Sequence, residues 1–162
     1  MIIINSNNES TKLKELIDKL KGIKDDENII VMPEGLFSEE NFHKYTEILN
    51  SELNANSESI ILMGQEAQLV SEKHGYITPE SGFENSHKSV KVKEFKEKPA
   101  TERALGLVMG RALWNCYVYA MKSEYFQTHV ADKQEDFPEV TFEKQILEGN
   151  PDLRVVFMSD KL

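Results

Sequence analysis

The chain has 162 residues, 40% of them hydrophobic and 29% charged, with a formal net charge of -9. That length suits a single domain over residues 1–162 with its own core, and the acidic balance argues against nucleic acid as a partner because phosphate backbones are repelled. Cys116 is the only cysteine, so no internal disulfide is expected; no stretch approaches the ~20 apolar residues of a membrane span, and the N-terminus lacks a signal-peptide pattern, so the reading is cytoplasmic with no membrane partner.

Residues 2–4 are branched and apolar, which predicts a buried strand followed by a polar loop over 5–9. Ser10 is placed to cap a helix whose apolar positions, Leu13, Leu16, Ile17 and Leu20, share one face, and Gly22 is placed to stop it. Residues 29–32 predict a second strand, ended by Pro33-Glu34-Gly35. Ser38 opens the next helix, with Phe42, Tyr45, Leu49 and Leu53 on one face, and a polar linker is expected over 51–59. Residues 60–63 predict a third strand closed by Gly64. Strand, helix and strand in short succession imply a parallel unit, with these three runs in one sheet.

The second half reads as short strands at 75–77 and 89–95 with a polar turn over 80–88. Alternation fails at Glu94-Phe95, so a bulge or a sheet covered on both faces is expected. Pro99 starts a new element, helical over 100–109 and ended by Gly110. Further expectations are a strand over 114–121, a helix over 124–130, a helix over 141–148 ending at Gly149, and a last strand over 153–158.

Three motifs follow one another at predicted strand ends: Gly75-Tyr76-Ile77, Phe95-Lys96-Glu97-Lys98-Pro99 and Trp114-Asn115. In this order they resemble the sugar-phosphate half of the mannose-1-phosphate guanylyltransferases, sugar-nucleotide pyrophosphorylases that carry Gly-Tyr-Ile, Phe-x-Glu-Lys-Pro and Trp-Asn. The segment Val140-Thr141-Phe142-Glu143-Lys144 is similar to a later helix start of that family. The likeness covers residues 75–147 and extends more faintly over 2–20 and 29–37. It implies a shortened three-layer, Rossmann-like α/β fold of the nucleotide-diphospho-sugar transferase type, with a mostly parallel sheet and an antiparallel portion.

The resemblance also implies a sugar 1-phosphate as ligand, bound by Gly75, Tyr76, Glu97, Lys98 and Asn115. Lys98 would meet the phosphate as a point charge, Glu97 would accept from sugar hydroxyls, and Asn115 would donate and accept. Each has a plainer alternative: a solvated lysine among Lys88, Lys91, Lys93 and Lys96, a surface carboxylate, an amide holding a strand end. Gly75 equally suits a simple turn, and Trp114 suits the core. Tyr117 stands where the family has a small residue, and its bulk is expected to fill part of the site.

Other departures concern the nucleotide. The family's glycine-rich phosphate loop has no match, only residues 22–27 stand in place of a nucleotide-recognising insert, and the position of a metal-binding aspartate falls on Gly35, next to Glu34. The C-terminal Asp-x-Gly-x-Trp segment is also without a counterpart. A nucleotidyltransferase-like protein without stand-alone activity is therefore expected, with no cofactor beyond the Mg2+ an active member would use. The alternative is a sugar-phosphate-binding or regulatory module that partners a full-length relative; a vestigial protein is a third reading. A homo-oligomer or a complementing chain is the expected protein partner. His43, His74, His87 and His129 lack ligand spacing, Cys116 reads as a small buried hydrophobe, and Asp25-Asp26-Glu27 reads as a solvated loop.

Overall fold

A computed structural model describes residues 1–6, 10–82, 87–133 and 139–159. Its elements in chain order are β1 (Ile2–Ser6), α1 (Leu13–Lys19), β2 (Asn28–Pro33), α2 (Glu39–Ala55), β3 (Ile60–Glu66), β4 (Gly75–Pro79), β5 (Val90–Glu97), α3 (Thr101–Met109), β6 (Leu113–Lys122), α4 (Ser123–His129) and β7 (Leu153–Phe157). A 3-10 turn, Ala131–Lys133, and a π-helical turn, Glu143–Leu147, lie between α4 and β7.

One seven-stranded sheet runs in the order β1-β2-β6-β3-β7-β5-β4, and β4 also pairs with β6. Strands β1, β2, β3, β4 and β7 run one way, and β5 and β6 run against them. The three runs read from the first half do share this sheet, but β6 lies between β2 and β3. Because β4 returns to β6, the strands β6-β3-β7-β5-β4 form a closed circuit, and β1-β2 extends it on one side.

The sheet is covered on both faces, which makes three layers. On one face α1, α4 and the π-helical turn pack Leu13, Leu16, Phe126, Phe142 and Leu147 against Ile29, Val31, Leu62, Tyr119 and Val155. On the other, Tyr45, Leu49 and Leu53 of α2 meet Ile30, Met32, Ile61, Val118 and Val156. Each fully buried leucine or isoleucine contributes about 1.5–3 kcal/mol. A third cluster joins Ala104 and Leu107 of α3 to Tyr76 and Trp114. The odd and even residues of β2 and β6 thus serve opposite layers, as the two-residue strand period requires.

Several expectations are corrected. The linker predicted from residue 51 is helical to Ala55, because Glu52 and Leu53 are buried on the sheet side of α2. β3 does not stop at Gly64 but continues to Glu66. Gly64 is needed there for a close approach, since a Cβ would fall 2.9 Å from Leu113 Cβ. The helix expected over 141–148 is a single π-helical turn. Of the two alternatives for the broken alternation at Glu94-Phe95, both are found: the sheet is covered on both faces, and a bulge lies just before, where Thr78 faces Glu94 and Pro79 faces Val92, so Lys93 is the extra residue. The loop predicted from residue 5 begins later, because Asn5 and Ser6 still pair with Met32 and Pro33 in β1; its residues 7–9, and residues 83–86 of the polar turn over 80–88, lie outside the described residues.

Candidate sugar-phosphate site

β6 changes partners along one of its edges. β3 lines the opposite edge, while on this one β2 pairs from Val31 with Tyr119 to Asn28 with Lys122, and β4 pairs Tyr76 with Trp114 and Ile77 with Leu113. Between the two partners lie residues 115–118. Tyr117 adopts a left-handed φ of 59° here, held by its own N–H donating to Asn115 Oδ1 at 3.0 Å. The β3–β6 register also shifts in this stretch.

The sequence-predicted residues divide at this junction. Gly75, Glu97 and Asn115 come together. Gly75 pairs with Glu97 across the β4–β5 ladder, and a Cβ at Gly75 would lie 2.7 Å from Glu97 Oε1 and 3.2 Å from Asn115 Cβ. A Cβ there would press on the carboxylate and force it to shift. Glu97 and Asn115 are each 2% exposed. Lys98 follows directly but is exposed, with φ 46° and its N–H donating to His74 O at 3.1 Å. Tyr76 points elsewhere: it is fully buried with α3 and Trp114, and its hydroxyl donates to Ser71 O at 2.9 Å. Trp114 is core, as the plainer reading had it, with the His74 ring stacked on it at 4.0 Å.

Glu97 is surrounded by hydroxyls of the chain. Ser10 Oγ donates to Oε2 at 2.5 Å and Tyr117 Oη donates to Oε1 at 3.3 Å. Ser10, expected as the α1 cap, therefore does not cap: α1 starts after Lys12 with no side-chain cap, and Ser10 is spent on Glu97. Tyr117 fills space beside the carboxylate, as its bulk suggested. Burial raises the Glu97 pKa, while Ser10, Lys98 and Tyr117 pull it back down and Glu148 adds to the rise.

A second buried carboxylate adjoins the first. Glu143 is 0% exposed and accepts from Thr11 N–H at 2.6 Å and from Tyr119 Oη at 2.6 Å. Asn115 Nδ2 donates to the same Tyr119 hydroxyl at 2.7 Å. Burial, with Glu97 nearby, lifts the Glu143 pKa to about 7 against the pull of these donors. Sequence reasoning missed Glu143 as a site residue. Its signal was an acid set among Phe142, Ile146 and Leu147, which put it on the buried side of a helical turn.

These residues do not fit a divalent cation. Among the described residues no three His, Cys, Asp or Glu side chains gather as ligands. Glu97 and Glu143 are engaged by hydroxyl and amide donors, Gly35 offers no side chain, and Glu34 is exposed. Cys116 lies in the α2-side core, where burial pushes its thiol up to about 12, so it is no nucleophile at neutral pH. What the junction offers is a set of hydrogen-bonding groups beside an exposed ammonium.

A mixed seven-stranded sheet between helical layers gives this chain a three-layer α/β fold of the nucleotide-diphospho-sugar transferase type. A family profile for nucleotidyl transferases matches residues 4–160, and the chain belongs to that family. Two solved structures share the fold. One, described as mannose-1-phosphate geranyltransferase from Thermus thermophilus, superposes with a TM-score of 0.64 and 19% identity, over 94% of this chain and 50% of that one. The other, mannose-6-phosphate isomerase from Helicobacter pylori, gives a TM-score of 0.69 and 15% identity, over 98% of this chain and 72% of that one. The chain thus spans half the length of the T. thermophilus protein. None of the curated proteins matches it in sequence. Among the described residues no helix is long and apolar enough to cross a membrane.

Proposed function

We propose that this member of the nucleotidyl transferase family binds a sugar 1-phosphate at the β4–β5–β6 junction and does not by itself transfer a nucleotidyl group to it. The observation that carries the reading is the convergence of Gly75, Glu97 and Asn115, with Lys98 next in the chain. Lys98 meets the phosphate, the Glu97 carboxylate accepts from ring hydroxyls, and the Asn115 amide completes the hydrogen bonds. Tyr76, buried under α3, supports the strand and does not touch the ligand. Nucleotidyl transfer depends on positioning and on cations around the phosphates, and the position that resembles the family's metal-binding aspartate is Gly35, which carries no carboxylate.

The net charge of -9 repels a phosphate at long range, but salt screens this beyond about 8 Å, so the local lysine decides. Glu97 and Asn115 are already engaged within the chain, so affinity is low, with a dissociation constant on the order of 1 mM. The test is a titration of mannose 1-phosphate and glucose 1-phosphate followed by amide NMR. Shifts are expected at residues 75, 97, 98 and 115, and Lys98→Ala is expected to abolish them. Silence at those amides at high ligand concentration rejects the reading.

A further inference from the structure

Glu97 is satisfied before any ligand arrives, and its two hydroxyl donors are held very differently. Tyr117 is part of β6, is 5% exposed, and has its backbone fixed by Asn115. It cannot leave without opening the central strand. Ser10 is half-buried and belongs to the strap between β1 and α1. From Thr11 onward that strap is knitted to the 140–143 segment: Thr11 N–H donates to Glu143, Phe142 N–H donates to Thr11 O at 2.7 Å, Leu13 N–H donates to Val140 O at 3.0 Å, and Lys12 bridges Thr141. Ser10 stands at the end of that knit, and its hydroxyl can leave Glu97 by one rotation about χ1.

We propose that Ser10 is an internal competitor for the site, its hydroxyl taking on Glu97 Oε2 the place that a sugar hydroxyl takes in the complex. This rests on the reading of Glu97 as the hydroxyl acceptor for a sugar 1-phosphate. Binding then exchanges one hydroxyl for another on the same carboxylate oxygen and gains little from that contact. Without the Ser10 hydroxyl, the buried oxygen is left unmatched in the free protein, and the ligand restores the bond. Ser10 therefore lowers affinity while keeping the empty site satisfied.

The experiment is the amide-detected titration of mannose 1-phosphate on the full chain with Ser10, Ser10→Ala, Ser10→Gly and Ser10→Thr. Ser10→Ala and Ser10→Gly are expected to bind about tenfold tighter, the worth of one charge-assisted hydrogen bond, and Ser10→Thr, which keeps the hydroxyl, is expected to bind as the unsubstituted chain does. A second readout needs no ligand: the carboxyl carbon of Glu97 should titrate at higher pH in Ser10→Ala and at the original pH in Ser10→Thr, since the hydroxyl holds that pKa down. If the unsubstituted chain binds and the hydroxyl-free variants bind no tighter, Ser10 is not a competitor and the sugar-phosphate reading stands. If none of the four binds, the sugar-phosphate reading and this inference fall together.

Discussion

Glu143 shows how one side chain ties the site to stability. Its ordinary pKa of 4.5 is raised to about 7, so the folded protein keeps a proton that the unfolded chain gives up. The sign follows from linkage. Below about pH 4.5 both states are protonated and this burial carries no penalty. As pH rises from 4.5 to 7 the unfolded state loses its proton first, stability falls, and above about 7 the loss is complete. At about 1.4 kcal/mol per unit the loss is at most about 3 kcal/mol. Urea denaturation at pH 4.5 and 7.5 should therefore show a stability decrease that is largely flattened in Glu143→Gln. An unchanged pH slope in that variant would assign the dependence to another group. Gly75→Ala tests the neighbouring contact: its Cβ would crowd Glu97 Oε1, so a loss of about 1–3 kcal/mol is expected in the urea midpoint together with loss of ligand shifts. Motifs in the sequence pointed to Gly75, Glu97 and Asn115, whose side chains or close approaches are fixed by neighbouring strands. They could not point to Glu143 or Ser10, because those roles arise only when the strap and the 140–143 segment meet.

Two serines read alike as helix caps, and one of them is. Ser38 accepts from Asn41 N–H at 3.2 Å at the start of α2, where Glu39 and Glu40 also face the positive end. Ser38→Ala should cost about 1 kcal/mol by thermal or chemical denaturation, whereas Ser10→Ala should be read in a Glu97 titration moved to higher pH and in tighter ligand binding. A Ser38→Ala protein as stable as its parent would show that the Ser38 hydroxyl does not hold the start of α2. Elements with a clear apolar period were legible in the sequence: β2, β6, α3 and the face of α2 all stand within a few residues of where they were read. Boundaries failed where burial overrode local polarity. The last turns of α2 look polar, yet Glu52 is 4% exposed and accepts from Ser89 N–H, so the helix runs on. The π-helical turn was illegible as such, because its winding reflects Glu143 and Phe142 both being drawn to the sheet while Gly149, with φ 75°, turns the chain toward β7.

At the scale of the molecule, β1 pairs with β2 and with no other described strand, so among the described residues it is an edge strand of the sheet. Open edges in sheets recruit partners or are blocked, and self-association through this edge is the expected outcome. Sedimentation at rising concentration should show a dimer; a monomer throughout would reject it. A second whole-protein measurement concerns chemistry: with GTP, mannose 1-phosphate and Mg2+, no sustained pyrophosphate release is expected, and release that vanishes in Lys98→Ala would overturn that expectation. The layers and the common sheet could be read from strand-helix alternation. The insertion of β6 between β2 and β3 could not, because nothing local in residues 113–122 encodes which distant strands it will meet.

That insertion has a kinetic consequence. β6 draws its partners from residues 28–31, 61–66 and 76–77, so none of its ladders can form by closing a tight hairpin. The chain must search for these distant pairings before the circuit of strands can shut, and topologies of this kind fold more slowly than those built from local contacts. The same dependence makes β6 the last strand to let go. Amide protons at its centre, near Val118 and Tyr119, should exchange with solvent only when the whole protein unfolds, while those of β1 should exchange through local fraying. Strand order alone thus sets a hierarchy of opening, with the candidate site lying on the element that opens last.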